Sequence, residues 1–354
     1  MPPPAFYSQV SNLPLEAAFY LYHGLAKSTR RTINSSVKIY VEFCQKVKAE
    51  PFPVRTRTLS QFIAVEAPKR SANNIASIIS AIKSHQIDLS LDVTIFEKDT
   101  QLRRIIRGVK IVNGTKVTHQ RTPITKDILI KMLDTLKGNS FENVNLRAAF
   151  CVAYHGFLRL GEFTYSNWSE SSTSFSLTRG SVKFQKGQVI IHLSSSKTDQ
   201  FWNGVDIPLL ETFDATCPRE ALKHLFNKYP TPCSHPLFGR VTIDGHLKGN
   251  YFNRQWVVQK IQECILRAGL DPTNFSGHSF RRGAAHDAVA HGLEDSQIMT
   301  LGRWTSEAFR RYIGQGTARR LTISKTLVKA AAVNKVSSTS ISTPTRQLRS
   351  ALRK

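Results

Sequence analysis

The sequence predicts a mainly α fold with a small antiparallel β-sheet, an α+β class carried by two domains. Three features predict it. Apolar residues recur at helical spacing through 13–112, again through 124–157, and from 253 to 313. A short stretch, 181–208, changes to the two-residue period of strands. Between the first two helical regions lies a polar, turn-rich segment that reads as an interdomain linker, residues 113–123. At 354 residues the chain also exceeds what one small core covers.

The first domain, 1–112, is expected to be all-helical. Ser28-Thr29 form a capping signal for a helix through Val37, Tyr40, Val41, Phe43 and Cys44, and Pro51-Phe52-Pro53 ends it. Further on, Ile75, Ile78, Ile79 and Ile82 fall at i, i+3, i+4 and i+7, so Asn73, Asn74, Ser77 and Lys83 point away from the apolar stripe. A later helix sets Arg103, Arg107 and Lys110 on one face, with Leu102, Ile105, Ile106 and Val109 filling the remainder. Basic residues one turn apart suit a phosphate backbone, although a solvated face has the same pattern.

The second domain, 124–320, begins with a helix at Ile124-Thr125-Lys126-Asp127. Leu146, Ala149, Phe150, Ala153 and Phe157 then continue at helical spacing toward Arg159, apolar enough to form the domain's centre. Val182 and Phe184 begin a strand, Lys186-Gly187 turns it, Val189–Leu193 return, and Val205–Pro208 make a third strand. The polar loop from Ser194 to Gln200 carries Lys197 at its tip. Helices resume at Cys217–Tyr229. The tail, 321–354, holds seven basic residues and no acidic one, and its Ser/Thr/Pro stretch has little to bury.

The net charge of +24 comes from 49 basic and 25 acidic residues. The surplus is nine in 1–118, eight in 119–320 and seven in the tail, so it runs along the whole chain. Such an imbalance points to a polyanion, with nucleic acid the first candidate and a ribosomal or chromatin protein the bland alternative. Five widely spaced cysteines, with no C-x-x-C pair and no matching histidines, suggest a reducing compartment and no structural metal. No apolar run approaches the roughly 18 residues of a membrane span, so a soluble intracellular protein is expected, with no membrane partner.

Five residues carry possible chemistry. His278 and Arg281 follow the capping signal Ser276-Gly277, which would put both on one side of a helix's first turn, where backbone amides favour a phosphate. Taken alone they could equally satisfy a helix end or an acid. Arg159, held between Leu158 and Leu160, needs an anion, either Glu162 or a substrate phosphate. Lys197 is a solvated charge or an acid on a mobile loop that reaches a leaving oxygen. Tyr312, on a helix started by Thr305 or Ser306 and stopped near Gly314, is a core residue or a nucleophile whose phenolate needs cations beside it. Together they form a set for transesterifying a phosphodiester with no metal and no cofactor.

Phe157-Leu158-Arg159-Leu160-Gly161-Glu162, Lys197, His278-Ser279-Phe280-Arg281, Gly302-Arg303-Trp304 and Tyr312 resemble, in that order, the signature of tyrosine recombinases. Ser196 to Asp199, His278 to Gly283 and Gly302 to Ile313 are most similar to recombinases of Crypton and DIRS-like mobile elements. The resemblance implies a helical core-binding domain and a mixed catalytic domain that clamp double-stranded DNA. It also implies assembly into a tetramer, exchange through a Holliday junction, and work in the nucleus. Tyr312 would attack the phosphate and leave a 3′-phosphotyrosyl link, Arg159 and Arg281 would hold the non-bridging oxygens, and Lys197 would protonate the 5′-oxygen. His278 would assist proton transfer, Glu162 would support Arg159, Arg282 would be structural or a backbone contact, and the basic tail would dock on a neighbouring protomer. Many members place a His or Trp nine residues before the tyrosine. Trp304 stands eight before and Arg303 nine, so Trp304 is favoured as the phosphate contact and Arg303 is the alternative. The competing functions are DNA relaxation like that of type IB topoisomerases, and DNA binding by a domesticated, non-catalytic relative. A carboxylate-based, metal-dependent transposase fits poorly, since no acidic cluster stands out.

Overall fold

A computed structural model describes residues 1–10, 12–114, 121–165, 177–194, 203–239 and 251–310, with Ala308 described by its backbone alone. The chain divides into two compact units, Met1–His119 and Gln120–Lys354. It is mostly helical with one small antiparallel sheet, the class that the periodicities predict. Among the described residues no helix is long and apolar enough to cross a membrane.

The first unit contains α1 (Pro4–Gln9), α2 (Leu15–His23), α3 (Lys27–Lys46), α4 (Thr56–Glu66), α5 (Ala72–Asp88), α6 (Thr94–Lys98) and α7 (Thr100–Val112). Tyr40, Phe43, Leu59, Phe62, Ile63, Ile75, Ile78, Ile79 and Ile82 of α5, and Leu102 close one core. Tyr40 and Phe43 meet Phe62 edge-on, with ring centroids 5.3 and 5.4 Å away. The expected Ser28-Thr29 cap is corrected here: α3 starts at Lys27, behind Ala26, with no side-chain cap. The reason is Arg30. From the first turn of α3 its guanidinium donates to the carbonyls of Leu21 and Tyr22, pairs with Asp88 at 3.1 Å, and lies 4.1 Å over the Tyr22 ring. This tertiary anchor caps the end of α2 and fixes where α3 begins.

The second unit contains α8 (Lys126–Thr135), α9 (Phe141–His155), β1 (Val182–Gln185), β2 (Gln188–Leu193), β3 (Val205–Leu210), α10 (Pro218–Lys228), α11 (Arg254–Arg267), α12 (Ser279–Ala290) and α13 (Asp295–Gly302). Its core forms around α9, which is buried from Val144 to Tyr154 except at Arg147, as its mainly apolar sequence requires. The sheet runs β1-β2-β3, with Val182 opposite Ile191 and Ile191 opposite Ile207. Val189, Ile191, Leu193, Ile207 and Leu209 face inward at period two.

Two polar fixtures join this frame. Asp287 of α12 accepts the backbone N–H of Lys126 at 2.7 Å and the Tyr154 hydroxyl at 2.6 Å, so one carboxylate ties α8, α9 and α12. The last residues of the expected linker, and Ile124 just after it, are also engaged. Arg121 donates to the Thr273 carbonyl, Thr122 N to Asn274 O and Ile124 N to Ser279 O. Gly283 is required beneath this strap, because a Cβ there would overlap the Ile124 carbonyl.

His155, at the end of α9, contacts the Thr216 hydroxyl at 3.0 Å, while that hydroxyl donates to Asp214 at 2.6 Å. The imidazole therefore donates through Nε2 and is held neutral. Burial lowers its pKa from 6.5 to about 4, against the opposing pull of Asp214. In acid the unfolded chain takes up this proton first, so stability is full above pH 6.5 and falls toward pH 4. Through this residue the protein should lose about 3 kcal/mol across that window. His155→Gln should lose correspondingly less, as read from urea midpoints, and equal losses would place the acid sensitivity elsewhere.

Candidate active site

The site begins where α9 stops. Phe157 adopts φ 49°, in the left-handed region that costs a side-chain-bearing residue about 1–2 kcal/mol. This turn delivers Arg159 to the start of a 3-10 turn, Leu160–Glu162. Glu162 holds it at two points, taking the Arg159 backbone N–H at 2.8 Å with Oε2 and Nη1 at 2.8 Å with Oε1. Arg159 keeps 18% of its side-chain surface exposed and Glu162 only 5%. The internal acid is thus its partner here, and the arginine side chain stops short of full burial.

A second stretch comes from the end of α13. Arg303 caps that helix with φ 55° and ψ 47°, again left-handed. Its guanidinium donates to Gly156 O at 2.9 Å, Phe157 O at 3.4 Å and Glu162 Oε2 at 2.8 Å. Every one of these acceptors belongs to the protein. The next residue, Trp304, folds back over Gly302, where any Cβ would overlap its ring. That ring meets Phe157 edge-on at 6.3 Å and lies 4.2 Å from the Arg281 guanidinium carbon, a cation–π contact.

The third stretch is α12. The structure corrects the expectation that His278 and Arg281 share one side of its first turn. The helix starts at Ser279, His278 is the residue before it, and the two side chains part. His278 is exposed, whereas Arg281 is completely buried and donates to Phe157 O at 2.9 Å and to Gly302 O. Gly277 permits this close loop, since a Cβ there would overlap Leu160. Around His278 the field is strongly positive. Partial desolvation, then Arg254, Arg281, Arg282 and Arg159, lower its pKa below the usual imidazole value, so the ring is neutral at neutral pH.

Arg254 escaped the sequence reading. It opens α11 just after the capping Asn253, is exposed, and forms no ion pair with any described residue. A cation in a helix's first turn works against the helix dipole, which is the signal that could have found it. Lys197 and Tyr312 lie outside the described residues. The approach to Tyr312 is described as far as Arg310: instead of a helix beginning at Thr305 or Ser306, a 3-10 turn spans Glu307–Phe309 with Phe309 fully buried.

In the first unit, Arg103, Arg107 and Lys110 are exposed on α7 and pair with no described acid. Asn73, Asn74 and Ser77 are exposed on α5, where Ser77 donates to Asn73 O and Asn74 is met by Ser71 and Arg70. Lys83 is the exception among these candidates, since Glu97 holds its ammonium at 2.6 Å.

The packing of Trp304 on Gly302 is directly testable. Gly302→Ala must push the indole off Arg281 and should destabilise the fold by roughly 1–3 kcal/mol in urea unfolding. Gly161→Ala, whose Cβ meets nothing within 4 Å, should leave the midpoint unchanged. A wild-type midpoint for Gly302→Ala would refute the packing described.

No protein-family model matches the chain. In sequence it is 25% identical over 309 residues to an integrase/recombinase xerD homolog from Selenomonas ruminantium, covering 86% of each protein. In fold it is similar to the Tn1549 transposon integrase in complex with transposon right-end DNA, with TM-score 0.60, 12% identity, and coverage of 90% of this chain and 97% of that one. It is also similar to the XerH recombinase in a post-cleavage complex with its difH substrate, with TM-score 0.54, 16% identity, and coverage of 82% and 75%. A lambda integrase dimer bound to a COC′ core site matches with TM-score 0.52, 16% identity, and coverage of 85% and 96%. In sequence and in fold alike, the chain is thus similar to integrases and recombinases that act on DNA sites.

Proposed function

We propose that this protein is a site-specific DNA recombinase that cuts and rejoins duplex DNA through a 3′-phosphotyrosyl intermediate. One observation carries the reading: three separate stretches of chain bring Arg159, Arg281, Arg303 and Trp304 into one cluster, in which Arg281 and Arg303 share the Phe157 carbonyl, Arg159 and Arg303 share Glu162 and Trp304 faces Arg281, with His278 set in the same positive field. A dense group of guanidiniums beside a neutral imidazole suits a phosphodiester, whose non-bridging oxygens gain charge as the bond breaks.

In this mechanism the Tyr312 oxygen attacks phosphorus while the bond to the 5′-oxygen breaks. His278, neutral because its pKa is lowered, accepts the phenolic proton, and Lys197 gives a proton to the departing 5′-oxygen. Arg159 and Arg281 neutralise the developing charge. For Arg281, which is buried, this requires that phosphate oxygens replace the carbonyls of Phe157 and Gly302 when DNA is seated. Trp304 steadies that exchange by keeping its face on the guanidinium.

Arg103, Arg107 and Lys110 of α7, with the Asn73, Asn74 and Ser77 face of α5, supply the first unit's contacts to DNA, and Arg254 and Arg282 supply flanking phosphate contacts in the second. The fold relatives seen with DNA support a duplex substrate. Paired sites held by four protomers, exchange through a Holliday junction, and integration or excision of a Crypton-like element complete the reading. The basic tail docks on the adjacent protomer, and the reaction takes place in the nucleus.

Incubated with labelled duplex carrying its own site, in EDTA, the protein should form a covalent adduct that Tyr312→Phe abolishes. An adduct in that variant would remove the tyrosine from its role. Lys197→Ala should bind DNA normally and cleave at least about a hundredfold more slowly. A 5′-bridging sulfur, which leaves without a proton, should restore most of that rate, and failure to restore it would assign the lysine a different task.

A further inference from the structure

We propose that Arg303 is a positioning residue that sets the two phosphate-gripping arginines and does not itself hold the phosphate. This inference rests on the recombinase reading and deepens it. The first argument is where its donors go. Gly156 O, Phe157 O and Glu162 Oε2 lie in three directions within one fork, and all are fixed parts of the protein. The side chain keeps 14% of its surface exposed and Glu162 only 5%, so this contact is built into the fold.

The second argument is what shares those acceptors. Glu162 also holds Arg159, at 2.8 Å, so a single carboxylate is divided between two guanidiniums. With Arg303 removed, the whole of that negative charge would fall on Arg159, which would be drawn inward and made a poorer ligand for phosphate. Phe157 O likewise accepts from both Arg303 and Arg281, so the strut reaches the second arginine through one backbone oxygen. The third argument is conformational. Arg303 and Phe157 both have left-handed backbones, strained for residues with side chains, and the fork bonds one to the other. A lysine would keep the charge and lose the fork.

The experiment compares single-turnover cleavage and DNA affinity for wild type, Arg303→Lys, Arg303→Ala, Arg159→Ala and the double variant Arg159→Ala/Arg303→Ala. Both Arg303 variants should bind duplex within about twofold of wild type and cleave roughly ten- to a hundredfold more slowly. In the Arg159→Ala background, Arg303→Ala should cost clearly less than it does alone, because the share of its effect that passes through Arg159 is already lost and only the share through Arg281 is left. Additive losses would mean that Arg303 grips the phosphate itself, and wild-type cleavage by Arg303→Lys would mean that the fork has no role; either result overturns the proposal. A measurement that needs no activity separates this inference from the recombinase reading. In the free protein, Arg303→Lys should shift the Nε–Hε resonances of Arg159 and Arg281, and unchanged resonances would overturn the proposal even if cleavage slowed. Absence of any adduct in wild type would overturn the recombinase reading alone.

Discussion

The second unit must hold several guanidiniums in one small volume without letting them push each other apart. Two like charges about 6 Å apart repel by about 3 kcal/mol at an effective dielectric near 20. Glu162 offsets part of this by serving Arg159 and Arg303 at once, and the carbonyls of Gly156, Phe157 and Gly302 do the rest. Those carbonyls are available because α9 and α13 both end in left-handed residues that turn their oxygens toward the cluster. The cluster is therefore a property of two helix endings as much as of its arginines. Glycines at 277 and 302 let the neighbouring chain close around it, and nothing larger fits.

Much of this was legible in the sequence, and the parts that were not share a cause. The three strands followed from alternation and the Lys186-Gly187 turn, and α9 from its apolar run, because both signals are local. The pairing of Arg159 with Glu162 was also within reach, three residues apart in one turn. By contrast, the inward course of Arg281 depends on which side of α12 meets the core, and helical spacing does not specify that. Arg303 stood out as the residue nine before Tyr312, yet its task comes from Glu162, 141 residues away in the chain. Arg254 matters through the space it shares with His278, which no spacing rule connects.

The first unit repeats the lesson. Ser28-Thr29 is a sound capping signal, but Arg30 overrides it with contacts to Leu21, Tyr22 and Asp88 that only the folded chain can offer. Side-chain burial, charge sharing and close glycine contacts are all consequences of tertiary packing. The sequence can nominate residues for such roles, and the fold decides which are filled.

The strap at 121–124 has a mechanical meaning. It is sewn by three hydrogen bonds to the run from Thr273 to Ser279 and wedged against Gly283. The segment that opens the second unit therefore braces, through its own backbone, the turn that presents His278, so the imidazole's place is fixed by residues more than 150 positions earlier in the chain.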